Sequence, residues 1–505
     1  MTDKAFYITT PIYYVNAEPH IGTAYTTFAA DVLARFMRLD GRSVYFLTGT
    51  DEHGQKVEKS AQDAGIDPQT FVDQQCEHFK RMSDKFDFTN DDFIRTTEPR
   101  HKKAAEAFWH KLVDNGQIYK DVYKGWYSVR DESFYAEDEL VEGKAPTGAD
   151  VAWVEEPSYF FKLSEWTQPL LDFYEKNPDF IAPKGRRNEV VSFVKSGLRD
   201  LSVSRSSFKW GIPVPGDPDH VMYVWVEALP NYITALGYPD VESEKFQKFW
   251  AESLHLVGKD ILRFHAVYWP ALCMAAGLTP PKRVFAHGWW TNEGQKISKS
   301  LGNVINPFDL VETYGLDQVR YFLMREVPFG SDGDFSLQAL KNRINSDLAN
   351  DLGNLVQRVL SFAFKTCDAK VPTPNAFEDV DIALLDQLPP LMTKLRELAD
   401  HQEIHKMCEA IWALISACNR YIDAQQPWSL KKTDPERMNT VLWVLIDVIR
   451  QIGILVASIV PGASAKILDQ LAIPMDERTF AHLEHKIQGG HPIHEPTGIF
   501  PRIVD

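Results

Sequence analysis

The chain has 505 residues, 44% of them apolar and 25% charged, with a formal net charge of −16, which describes a large globular protein. That length predicts roughly two to four domains with a sizeable core. The acidic balance argues against a non-specific nucleic-acid binder, because net charge bears on association in general, while leaving room for one basic face.

In chain order, the N-terminus Met1-Thr2-Asp3-Lys4-Ala5 lacks the basic and apolar regions of a secretory signal. Phe6-Tyr7-Ile8-Thr9-Thr10 reads as a short buried strand. Tyr25, Phe28, Val32, Phe36 and Leu39 then recur at helical spacing until Gly41 stops the helix. The apolar run Val44-Tyr45-Phe46-Leu47 leads to Asp51, which places a carboxylate at the C-terminal end of a strand, where open parallel sheets bind ligands. Asp260 stands similarly after Leu254-His255-Leu256-Val257.

Residues 1–115 alternate strands and helices as the first half of a doubly wound, Rossmann-type α/β fold, and residues 116–222 read as a connective insertion. The βα rhythm returns over 223–286, and 287–340 form a linking region. Residues 341–505 read as an all-α bundle, with Ile404, Cys408, Ile411, Ile415, Cys418 and Ile422 on one stripe and a break at Val371-Pro372-Thr373-Pro374-Asn375. The apolar stretch Val441 to Val460 is interrupted by Asp447, Arg450 and Gln451, so a buried bundle helix fits it better than a membrane span. Five scattered cysteines, Cys76, Cys273, Cys367, Cys408 and Cys418, with no Cys-x-x-Cys, predict reduced thiols in a cytoplasmic setting.

Two short motifs carry chemistry. In Lys296-Ile297-Ser298-Lys299-Ser300, two ammonium groups three positions apart with hydroxyls between them suit the charge that builds on a departing pyrophosphate. Placed on a closing loop, they would also help exclude water. In Pro19-His20-Ile21-Gly22-Thr23, His20 and Gly22 fall where a strand hands over to a helix N-terminus, a ready anion site. Gly22 lets a base or phosphate approach the backbone. A solvated lysine loop and a capping histidine would look the same in isolation.

Together the two motifs resemble HIGH and KMSKS, the paired signature of class I aminoacyl-tRNA synthetases, with Thr23 replacing the second histidine and Ile297 the methionine. Four further segments resemble methionyl-tRNA synthetases nearly end to end: Thr9 to Asn16, Gly49-Thr50-Asp51-Glu52-His53-Gly54, Tyr223 to Tyr232, and Gly258 to His265. The resemblance implies catalysis by His20, Thr23, Lys296 and Lys299, with Gly22, Gly288 and Ser298 joining these in binding ATP and Mg²⁺ accompanying it. It implies a methionine site of Ile12, Tyr14, Asp51, Trp225, Ala228, Leu229, Tyr232, Asp260, Ile261, His265 and Trp269. In that site the Ile12 N–H and Tyr232 hydroxyl meet the sulfur and Asp51 holds the α-ammonium. An aromatic lining with few polar groups independently suits a thioether.

By the same resemblance, Asn354, Arg358 and Trp428 read the anticodon of methionine tRNA, initiator and elongator, with Trp428 stacking on a base. The family's zinc knuckles have no counterpart, because residues 125–155 contain no cysteine. The resemblance is therefore to the zinc-free subgroup, and no structural zinc is expected. The chain stops soon after the bundle at Pro501-Arg502-Ile503-Val504-Asp505, so a monomer is expected, with no membrane partner.

Two alternatives stay open: another class I synthetase, or an inactive RNA-binding paralogue. Leucyl, isoleucyl and valyl enzymes need a larger editing domain than 116–222 can hold, and a cysteinyl enzyme needs zinc-binding thiolates. No Gly-x-Gly-x-x-Gly follows the first strand, which argues against a nicotinamide dehydrogenase.

Overall fold

The structure is a computed structural model that describes residues 4–16, 18–131, 133–292, 294–296 and 305–504. The chain divides into two compact units, one of Ala5–Pro19 with Tyr45–His287, the other mainly of His20–Val44 with the chain from Gly288 onward.

The first unit is built on a six-stranded sheet: β1 (Ala5–Tyr14), β2 (Ser43–Asp51), β3 (Asp92–Arg95), β4 (Ile181–Ala182), β5 (Ser253–Gly258) and β6 (Arg283–His287). Its order is β3-β2-β1-β5-β6-β4. The pairs β2–β3, β1–β5, β5–β6 and β6–β4 run parallel, with Tyr7 opposite Ser253 and Thr9 opposite His255. Strand order reverses between β1 and β5, and the crevice beyond the C-terminal ends of two such strands is where doubly wound sheets take ligands. β1 runs further than the short buried strand Phe6–Thr10 expected from the sequence, ending at Tyr14, and its buried hydroxyls are paired. Thr9 Oγ1 meets His255 Nδ1 at 2.9 Å, and Thr10 and Thr48 share a hydrogen bond of 2.7 Å.

The expected insertion forms a second, antiparallel sheet in which Ile118–Ser128 pairs along nearly its full length with Ala152–Phe161. It is not closed off from the main sheet, since Ile181–Ala182 lies within it and supplies the β4 edge. The stretch lacking cysteines is tied by polar groups, with the Asp131 carboxylate accepting from the Thr147 hydroxyl and, at 3.1 Å, from Tyr135.

The second unit is mostly helical. Helix α1 (Ile21–Leu39) ends at Asp40, and Gly41 follows at φ 77, the left-handed conformation that glycine adopts without strain. The unit also contains α2 (Leu316–Arg325), α3 (Ile404–Gln425) and α4 (Pro435–Leu455). The predicted stripe of α3 is buried throughout.

Helix α4 and the turn after it, Pro435–Ser458, are apolar and long enough to cross a membrane, but 94% of an apolar 18-residue stretch within them is buried inside the protein. Its internal charge has protein partners: Asp447 meets Arg450 at 3.2 Å and Lys486 at 3.3 Å and accepts from the Ile487 N–H. Helix α1 is bolted into this unit by a wholly buried ion pair, Asp31 with Arg320 of α2 at 2.7 Å. Arg320 also donates to the carbonyls of Ile459 at 3.0 Å and Ser458 at 3.2 Å. At the far end of α1, Asp40 pairs with Arg396 and Arg42 with Asp400.

Candidate active site

In the first unit, the sheet gathers the residues expected to hold an amino acid. Ile12 and Tyr14 close β1, Asp51 closes β2, and Asp260 and Ile261 follow β5. Asp51 is buried and Asp260 exposed, so only the former is a carboxylate withdrawn from water. Asp260 folds back so that its Oδ1 lies 2.4 Å from where a Gly258 Cβ would be, so a side chain there would push the carboxylate aside.

Aromatic rings supply the remaining surface. Trp225 and Ala228 lie on the short helix Val224–Ala228, followed by Leu229, and Tyr232 belongs to Asn231–Thr234. The Trp225 ring stacks flat on Phe264, 3.8 Å away at 4°, and stands edge-on to His265. His265 sits in a π-helical turn, Phe264–Tyr268, which runs into the helix Trp269–Ala275; such turns often mark functional positions. Trp269 lies wholly in the core, its ring 6.3 Å from that of Tyr232.

The polar groups among these rings have a defined proton order. His265 Nδ1 lies 3.0 Å from the Ile261 carbonyl, which can only accept, so Nδ1 carries the proton. Burial lowers the His265 pKa to about 4, which keeps the ring neutral, so Nε2 accepts from the Tyr232 hydroxyl at 2.7 Å. Burial, with the Asp51 charge adding to it, raises the Tyr232 pKa far above the ordinary phenol value, so this hydroxyl keeps its proton. The Tyr7 hydroxyl donates to the Tyr232 carbonyl at 2.7 Å, tying the cluster to β1, and His255 stacks on Tyr232 at 4.0 Å.

In the second unit, His20 is the N-cap of α1, its Nδ1 accepting from the Gly22 N–H at 3.0 Å. A neutral imidazole accepting at Nδ1 carries its proton on Nε2, so the cap itself sets the ring up as a donor. A Cβ at Gly22 would lie 2.9 Å from the His20 ring and disturb that cap. Thr23 is buried in the first turn. Tyr25 of α1 packs edge-on against Trp290, 5.5 Å away.

Trp290 belongs to the strand Trp290–Asn292, which pairs antiparallel with Gln295–Lys296, Thr291 lying opposite Lys296. Asp334 braces the turn between them, accepting from Thr291 Oγ1 at 2.6 Å and the Gly294 N–H at 2.8 Å. The backbone of Lys296 is thus anchored at a strand end; its side chain, and Ser298 and Lys299, lie outside the described residues. Gly288 is needed where it stands, since a Cβ there would fall 2.3 Å from the Ser331 carbonyl group.

Farther along this unit, Asn354 is exposed on the helix Asn354–Thr366, with Arg358 one turn on. The Arg358 guanidinium lies 5.2 Å from the Trp428 ring and donates to Asp423 at 2.7 Å. Trp428 is 41% exposed at the start of the helix Pro427–Thr433, an unusual exposure for an indole. The structure therefore brings Arg358 and Trp428 together on one surface.

Sequence reasoning passed over a buried polar cluster inside two of the quoted segments. The Glu227 carboxylate accepts from His53 Nδ1 at 3.1 Å, and Glu52 accepts from Thr50 at 2.8 Å, Arg95 at 2.7 Å and the Thr97 hydroxyl. The available signal was an acidic residue within an apolar run, Val224 to Leu229. Among the described residues, no group of three or more His, Cys, Asp or Glu side chains is arranged to hold a metal ion.

Comparison with known proteins places this geometry. The family model for class I tRNA synthetases (M) matches residues 6–152 and 147–360, and that for the anticodon binding domain of methionyl tRNA ligase matches 371–505. The methionine–tRNA ligase of Rickettsia bellii is 57% identical, covering 100% of each chain, and that of Brucella suis is 55% identical, covering 100% of this chain and 99% of the relative. Among solved structures, Mycobacterium tuberculosis methionyl-tRNA synthetase in complex with methionyl-adenylate has a TM-score of 0.97 at 49% identity, covering 99% of this chain and 100% of that one. The free-state structure from the same organism has a TM-score of 0.90 at 46% identity, covering 99% of each chain. With both family models and full-length relatives in agreement, the chain belongs to the class I methionyl-tRNA synthetases.

Proposed function

We propose that the chain activates L-methionine with MgATP and transfers it to methionine tRNA through the residues described above. In the first step the methionine carboxylate attacks the α-phosphorus, a P–O bond forms, the bridging bond to the β-phosphate breaks, and pyrophosphate leaves. In the second, the terminal ribose hydroxyl of the tRNA attacks the carbonyl carbon and AMP leaves. No protein nucleophile takes part; positioning and charge stabilisation carry the catalysis. His20, through Nε2–H, and Thr23 act on the transferring phosphate, with Gly22, Gly288 and Ser298 beside ATP. Lys296 and Lys299 act on the leaving pyrophosphate, and Mg²⁺ arrives on the nucleotide as part of the substrate.

The observation that most supports the methionine assignment is the Tyr232–His265 hydrogen bond of 2.7 Å inside a wall of aromatic rings, with a buried carboxylate, Asp51, at the adjoining strand end. That combination suits a side chain that is soft and apolar, since the two polar groups satisfy each other within the wall, and a positive amine beside the carboxylate. Ile12, Tyr14, Trp225, Ala228, Leu229, Ile261 and Trp269 complete the lining, and Asp260 has its place at the exposed margin. ATP–pyrophosphate exchange scanned over the twenty amino acids tests the reading: methionine alone should support it.

Asn354, Arg358 and Trp428 read the anticodon within a bundle reckoned from residue 341, in initiator and elongator tRNA alike. The reading extends to a cytoplasmic monomer whose insertion, 116–222, needs no zinc. A stoichiometric zinc signal in purified protein, or a dimer in sedimentation, would overturn those parts.

A further inference from the structure

Glu227 has no assigned task although it sits between Trp225 and Ala228 on the short helix Val224–Ala228, wholly buried. Burial pushes its carboxyl toward the neutral form, but the His53 imidazole, followed by His101, outweighs this and holds the pKa below the ordinary glutamate value. Oε1 accepts from His53 Nδ1 at 3.1 Å, and Oε2 lies 3.5 Å from His101 Nε2, which also donates to the Glu227 carbonyl at 2.8 Å. His53 follows Asp51 by two residues. Its carbonyl accepts from the Tyr14 hydroxyl at 2.7 Å, and its ring lies 5.4 Å from that of Trp210.

One buried carboxylate therefore joins three pieces of backbone: the end of β1 through Tyr14, the end of β2 through His53, and the helix that carries Trp225 and Ala228. An apolar side chain of similar size would fill this space without the desolvation that a buried charge suffers. What the charge adds is direction, since the His53 ring N–H aimed at a fixed carboxylate, with the His101 N–H on the backbone carbonyl of the same residue, permits one arrangement of the pieces.

We infer that Glu227 is a positioning residue for methionine binding: its carboxylate clamps His53, and so the segment just after Asp51, to the helix bearing Trp225. The inference rests on the assignment of Tyr14, Asp51 and Trp225 to methionine. Glu227→Gln keeps the shape and removes the charge. In ATP–pyrophosphate exchange it should raise the methionine KM about tenfold, the size of one charge-assisted hydrogen bond, while kcat and the ATP KM stay within about twofold.

His53→Gln breaks the same contact from the other side and serves if Glu227→Gln fails to fold. The double variant should be no worse than the more affected single, because both remove one interaction. An unchanged methionine KM overturns the inference, and so does a parallel rise in both KM values with a falling melting temperature, the mark of a purely structural role. Asp51→Asn, measured alongside, separates the two readings: if it leaves the methionine KM unchanged, the pocket assignment itself falls.

Discussion

Replacing Arg320 with methionine removes the charge that bolts helix α1 into its unit while keeping most of the side-chain length. Both members of the Asp31–Arg320 pair are fully buried at 2.7 Å, so the loss cannot be made good by water. Asp31 keeps Arg35, at 2.8 Å, as a remaining cation, which softens the electrostatic part. The carbonyls of Ser458 and Ile459 lose their guanidinium donor, at about 1–3 kcal/mol for each buried group left unsatisfied. The sum agrees with the roughly 3–5 kcal/mol expected for breaking a buried pair from one side.

Because the chain has two compact units, a single two-state unfolding energy is the wrong readout. Hydrogen exchange of the α1 amides, measured beside the urea midpoint, reports on the affected unit directly. Arg320→Met should lower α1 protection by an amount matching that energy, and exchange activity should fall with it, since α1 begins at the His20 cap. The combination Asp31→Asn with Arg320→Met should cost less than the sum of the singles by about 0.5–3 kcal/mol. Unaltered α1 protection, or a loss under about 1 kcal/mol, would refute the reasoning.

Lys299→Ala should slow adenylate formation by ~10² to 10³ if that lysine acts as one preorganised donor; an unchanged rate in single-turnover assays removes it from the mechanism. Trp428→Ala should weaken tRNA binding by about 1–3 kcal/mol through lost stacking and leave methionine-dependent pyrophosphate exchange intact, so a collapse of exchange would contradict the anticodon role. The pH dependence of stability has a definite sign at His265, whose pKa falls from 6.5 to about 4 on burial. Between those values the unfolded chain takes up a proton that the folded one refuses, so this stabilisation is complete above pH 6.5 and is lost as pH falls toward 4. Urea midpoints at mildly acidic and neutral pH should converge more closely in His265→Gln than in the parent; equal slopes would exclude the assignment.

Local pattern carried much of the fold. The strand before His20, the helix that Gly41 stops, Asp51 at a strand end and the apolar face of α3 all depend on neighbours within a few turns, and periodicity and turn residues report those. Helix α1 was legible as a helix but not as part of the bundle's unit, because its anchors Arg320, Ser458 and Ile459 lie hundreds of residues away and leave no local trace. Glu227 was missed for the same reason. It meets His53 across 174 positions and His101 across 126, so only its sign within an apolar run was visible. The expected strand Phe6–Thr10 stops short of the Tyr14 at which β1 ends.

The position of α1 in the chain has a consequence for how the protein is made. This helix leaves the ribosome among the first residues, yet the side chains that hold it come late: Arg42 waits for Asp400, 358 positions on, and Asp40 for Arg396, 356 positions on. Contacts of such separation form last, since the whole intervening loop must close before they reward it. The strands and rings proposed for methionine need nothing beyond His287 for their own unit. A nascent chain can thus shape its amino-acid pocket while the cap proposed for ATP still lacks its support. A chain that stops within the bundle before Arg396 would lack both of these braces on α1, while the unit that ends at His287 is already fully synthesised.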